Sequence, residues 1–138
     1  MCATFEYNGK SSRPGKAILA RSSSGLIENV WAGFARNEIL DWWRRKGAVE
    51  LDIFATRFAE RSDLSRKLIW DDVPEGYVLR GLLIPEPVHP LIKIVTRAST
   101  PEELDRFEHP RVPVLEAPLF GAIPADLPIS DSGQAELF

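Results

Sequence analysis

Cys2 is the only cysteine in a chain of 138 residues, one position from its start. Removal of Met1, which is usual before a small second residue, leaves Cys2 with a free α-amine beside its thiol. The two groups titrate at roughly 8 and 8.5 in simple compounds, so a fraction of each is nucleophilic at cellular pH. Together they can trap an aldehyde. The amine condenses with it to an imine, and the thiol then closes a thiazolidine ring. A cysteine inside a chain has no amine to do this with. The competing reading of Cys2 is a small buried apolar side chain.

A second group with chemical capacity is His109-Pro110-Arg111-Val112-Pro113-Val114-Leu115. Histidine can move protons near neutral pH. Arginine offers a planar fork of donors that fits a phosphate. The same stretch also reads as an ordinary loop with a histidine at the end of a helix. His89, between Val88 and Pro90, reads as structural or incidental. Arg44-Arg45-Lys46 is a cluster that could face a phosphate backbone or simply water. There is no glycine-rich phosphate loop, no paired-histidine metal motif and no Gly-x-Ser-x-Gly elbow. With two histidines and one cysteine, neither a histidine-based metal site nor structural zinc is expected, and no cofactor is implied.

Several segments resemble, in order, those of SOS response-associated peptidase (SRAP) domains. They are Met1-Cys2, Trp31-Ala32-Gly33-Phe34, Ala55-Thr56-Arg57-Phe58-Ala59-Glu60, Ile92-Lys93-Ile94-Val95-Thr96 and the His109–Leu115 stretch, where the family pattern is His-x-Arg-Met-Pro before an apolar strand. The resemblance covers roughly residues 1–115. It implies a DNA-damage protein that binds single-stranded DNA and forms a DNA–protein crosslink at abasic sites, its N-terminal cysteine closing a thiazolidine with the ring-opened sugar. It also implies autoproteolytic removal of residues ahead of that cysteine. By position, Cys2 is then the nucleophile, His109 the proton shuttle, and Arg57 and Arg111 the holders of backbone phosphate.

The chain departs from that pattern in three places. The family begins Cys-Gly-Arg-Phe where this chain has Cys2-Ala3-Thr4-Phe5. Its Asn-Ala-Arg corresponds to Ala55-Thr56-Arg57. Its Gly-Phe-Tyr-Glu-Trp segment, which carries a catalytic glutamate, is absent after Arg80-Gly81-Leu82-Leu83-Ile84-Pro85, and Glu86 is the carboxylate available there. These departures suit a short, divergent, phage-type member. The alternative is an inactive SRAP scaffold that binds DNA or protein, and a third reading is an unrelated small structural protein.

The elements that must position these residues follow from local pattern. A strand is expected over 2–7, then a turn at Asn8-Gly9, a loop over 10–15, a strand over 16–21, a turn at 22–25 and a strand over 26–33. Asn37 as cap, acids first and bases last, and Gly47 as stop predict a helix over 37–47 with one well-buried side. Residues 48–58 read as one strand and 62–70 as a short helix. Strands over 77–85 and 91–97 flank a proline-rich connection. Thr100-Pro101-Glu102-Glu103 is a capping box opening a helix to Phe107. Pro113 confines the strand over 111–115 to an edge or a bulge.

The expected class is α+β, mainly antiparallel strands in packed, barrel-like sheets with a few short helices. One domain over 1–116 is expected, with an irregular tail over 117–138 packed on it. Composition agrees: 44% hydrophobic and 27% charged suits a soluble globular chain, and eleven prolines disfavour long helices. No apolar run reaches the ~20 residues that cross a bilayer, and no signal segment opens the chain, so a cytoplasmic protein without membrane partners is expected. Net charge is −3, so contact with DNA requires a focused basic patch.

Overall fold

A computed structural model describes residues 2–124. Two sheets dominate it. The smaller has the order β2 (Lys10–Ser12), β1 (Cys2–Tyr7), β6 (Arg57–Arg61), β7 (Leu68–Asp72). The larger has the order β10 (Arg111–Pro113), β9 (Leu91–Ala98), β4 (Gly25–Arg36), β3 (Ala17–Ser22), β5 (Val49–Ile53), β8 (Val78–Ile84), β11 (Leu115–Glu116), and β8 also pairs with β9. All these pairs are antiparallel except β4 with β9. Two short helices, α1 (Leu40–Arg45) and α2 (Pro101–Phe107), complete an α+β arrangement. No helix among the described residues is long and apolar enough to cross a membrane.

The first hairpin is made by its turn. Asn8 and Gly9 both have positive φ, 51° and 81°, the backbone of a two-residue loop whose twist matches the flanking strands. That turn extends the pairing into β2, within the stretch expected to be a loop. Along β4 the odd positions Ile27, Asn29 and Trp31 face inward and Leu26, Glu28 and Val30 outward. Trp31 is fully buried between Phe5, at 5.4 Å, and Phe34, at 5.9 Å, and joins the two sheets in one core.

Three local expectations change. Residues 48–58 are two strands in different sheets, not one. The run turns at Phe54-Ala55-Thr56, where the Thr56 N–H bonds the Glu6 carbonyl and the Val73 N–H bonds that of Thr56. Phe54 and Ala55 are buried, so an apolar sequence hides the corner. Residues 62–70 hold no helix. The Ser62 hydroxyl does accept the Leu64 and Ser65 N–H groups as a cap would, but Arg66 takes φ 65° and the chain leaves as β7. The helix over 37–47 opens as a 3-10 turn without a side-chain cap, and α1 buries no residue completely. Leu40 and Trp43 rest against the core while Trp42 stays half exposed.

A buried ion pair ties the end of the domain down. Arg80 donates to Asp52 at 2.9 Å and to the Leu51 and Ala117 carbonyls. Asp52 also accepts the N–H groups of Leu119 and Phe120, both at 3.0 Å. Arg21 donates to the carbonyls of Gly121 and Ala122. Residues 117–122 are therefore stitched to the larger sheet. The rest of the expected tail, 125–138, lies outside the described residues.

Candidate functional site

Cys2 opens β1 opposite Glu60 of β6, and the ladder slips by one residue at Ala3 before Thr4 pairs with Ala59. In a regular strand residues 2 and 5 point to opposite faces. The bulge turns both inward, so Cys2 and Phe5 are buried together. The Cys2 thiol donates to the Thr4 carbonyl at 3.3 Å. Burial pushes that thiol far above its ordinary pKa, and the Glu60 carboxylate pushes in the same direction. Glu60 is itself fully buried, and desolvation raises its pKa to about 7. A buried thiol and a buried acid thus share one spot, and the carboxylate's charge favours the protonated form of the thiol.

His109 reaches the same region from the far end of the chain. α2 is opened by the Thr100 capping box, with Thr100 Oγ1 accepting the Glu103 N–H and Glu103 accepting the Thr100 N–H. It is closed at Glu108, whose φ of 53° ends the helix. Phe107 is buried against Phe58 of β6 at 5.7 Å, and Ser62 donates to Glu108 at 2.6 Å. These contacts fix the turn that carries His109. His109 Nδ1 lies 3.0 Å from both the N–H and the carbonyl oxygen of Arg111, and its Nε2 lies 3.9 Å from Asp63. Burial lowers the pKa of the imidazole, and the Asp63 charge opposes that shift.

Cys2 and His109 line one cleft of about 410 Å³, together with Ala3, Pro14, Phe34, Arg61, Asp63 and Arg66. Cys2 forms its floor. The other expected site residues stand elsewhere. Arg111 points away, held by Glu38 through two bonds of 2.8 Å and by the Thr96 carbonyl. Its grip pulls the Glu38 pKa down to about 2. Arg57 stacks on the Trp70 ring at 4.0 Å with Glu6 at 3.5 Å. Glu86 is exposed in the connection between β8 and β9 and does not line the cleft. The cations at the cleft are Arg61 and Arg66 instead, and the carboxylate against Cys2 is Glu60. Glu60 has a sequence signal only in retrospect: an acid after Phe58-Ala59 on a strand that pairs with β1.

Among the described residues no three of His, Cys, Asp and Glu gather as a metal would require. Chemically the arrangement offers a thiol, a proton acceptor of near-neutral pKa beside it, and an imidazole on a small cleft whose walls carry Arg61, Arg66 and Asp63. No family model, curated protein or solved structure matches the chain.

Proposed function

We propose that the chain is an SRAP-like DNA-damage protein that binds single-stranded DNA and captures the aldehyde of an abasic site through Cys2. What carries this reading is the cleft shared by Cys2 and His109, residues from opposite ends of the chain. The pairing of β8 with β9, beyond their neighbours in the larger sheet, supports a barrel-like arrangement of that sheet.

Loss of Met1 by hydrolysis frees the Cys2 amine. The amine adds to the sugar aldehyde, and loss of water gives an imine. His109 delivers the proton that carries off the departing oxygen. The thiol then gives its proton to Glu60, and the sulfur attacks the imine carbon to close the ring. The nitrogen regains a proton, so atoms and charge balance without a cofactor. A thiol held protonated in the buried floor stays unreactive until the aldehyde arrives. Burial of Cys2 also favours a second reading, an inactive scaffold that binds DNA without crosslinking.

The test uses protein shown by mass spectrometry to lack Met1, incubated with a single-stranded oligonucleotide bearing one abasic site. A shifted band on a denaturing gel, absent in Cys2→Ala, is expected. Binding on a native gel without the covalent band would instead leave the scaffold reading, and neither binding nor a band would remove both.

A further inference from the structure

A larger groove of about 940 Å³ adjoins the cleft and shares Ala3 and Arg61 with it. We infer that this groove is the track for the nucleic acid strand, and that it leads the strand to Cys2. The inference rests on the functional reading above for its ligand, and on the groove itself for its residues.

The chain is acidic overall, yet four cations line this groove, Lys10, Arg13, Lys16 and Arg61, against one carboxylate, Glu28. Four aromatic side chains line it as well: Phe5 and Phe54 are buried, and Tyr7 and Trp70 are partly exposed. Cations spaced along a groove and interleaved with flat rings are what an unpaired strand needs. The cations follow the phosphates, and the rings accept bases regardless of sequence. A duplex keeps its bases stacked inside and cannot use the rings.

The cations sit on fixed backbone. The turn between β2 and β3 is pinned by the Lys16 N–H bonding the Arg13 carbonyl at 3.1 Å and the Gly15 N–H bonding that of Trp31 at 2.8 Å. Arg13 and Lys16 are exposed and have no side-chain partner among the described residues. Pro14, between them, lines the reactive cleft. One turn therefore touches both cavities. Trp70 is held at the wall by the Arg57 guanidinium stacked on it. Arg57 thus serves the groove by fixing a ring, a different task from holding phosphate.

The experiment measures fluorescence anisotropy of a fluorescein-labelled oligothymidylate with the full chain over a range of salt. Reversing two cations, Arg13→Glu with Lys16→Glu, is expected to weaken binding by about tenfold at moderate salt. It is also expected to reduce the slope of log affinity against log salt by roughly 1.4, from two lost phosphate contacts at about 0.7 each. Circular dichroism checks that the variant is folded. In Trp70→Leu the affinity falls while the slope stays. Unchanged affinity and slope in the double variant, or a duplex of equal length competing as well as the single strand, would overturn the track. The two proposals separate cleanly. Cys2→Ala removes the covalent band but not oligothymidylate binding. If the wild-type chain binds through the groove yet never crosslinks, the chemistry fails and the track stands. If the double variant crosslinks at the wild-type rate, the track fails and the chemistry stands.

Discussion

Replacing Glu60 with glutamine removes a titrating group from beside Cys2 with almost no change of shape. The carboxyl is fully buried, and its pKa rises from 4.5 to about 7. Desolvation is the main cause, opposed by the positive charge at the chain's amino terminus and assisted by Glu103. Between these two values the folded chain keeps a proton that the unfolded chain has released. The stabilisation is therefore fully present below pH 4.5 and lost as pH rises through 7. At roughly 1.4 kcal/mol per pH unit, the span amounts to on the order of 3 kcal/mol. Glutamine does not titrate, so its stability should vary less over this range. Urea unfolding followed by tryptophan fluorescence is the assay. Near pH 5 the two proteins should match closely, and by about pH 8 the variant should exceed the wild type by roughly 2–3 kcal/mol. Parallel stability curves across that range would refute the reasoning. The same variant should close the thiazolidine at least about 100-fold more slowly, since the thiol has lost its proton acceptor.

Asp52→Ala leaves the Arg80 guanidinium buried without its carboxylate and frees the Leu119 and Phe120 N–H groups; a loss of about 3–5 kcal/mol is expected in chemical denaturation. Gly81→Ala drives a methyl into the Ile53 side chain, where β8 and β5 approach closely. It should lower stability by about 1–3 kcal/mol, and Ile53→Val in the same chain should recover part of that. The Cys2 thiol should react with a thiol-specific disulfide reagent at least about 100-fold more slowly in the native protein than in urea, because it is buried and held protonated. Equal rates, read from the absorbance of the released thiolate, would mean that the floor of the cleft is open.

Signals confined to a few residues were legible in the sequence. Asn8-Gly9 states its turn, Thr100-Pro101-Glu102-Glu103 states its helix start, and the apolar runs of β8 and β9 state two covered strands. The corner at residues 54–56 was not, because buried Phe54 and Ala55 carry no turn residue to mark it. Ser62 misled for a physical reason: a hydroxyl accepting two backbone N–H groups is the chemistry of a helix start and of an isolated turn alike. For the candidate site, pattern suggested Cys2 and His109, and the structure gathers these two at one cleft. It could not say which arginines were already engaged. Arg111 is committed to Glu38, seventy-three positions away, and no local rule reveals such a partner. Glu60 was invisible for a similar reason, since only its pairing across from Cys2 shows that it faces inward.

The Ser62–Glu108 bond has a consequence for how the cleft keeps its dimensions. Cys2 and Glu60 belong to the smaller sheet, whereas His109 hangs from the connection into β10, on the rim of the larger one. The cleft thus lies where two sheets meet over a shared apolar core, which holds Cys2, Phe5 and Phe58 together with Trp31, Phe107 and Val112. Beyond that core, the turn that carries His109 is tacked to the smaller sheet by one serine hydroxyl on one glutamate, the Asp63 N–H on the Glu108 carbonyl, and Phe107 wedged on Phe58. Loosening those threads is expected to move the imidazole relative to the sulfur without unpairing a strand.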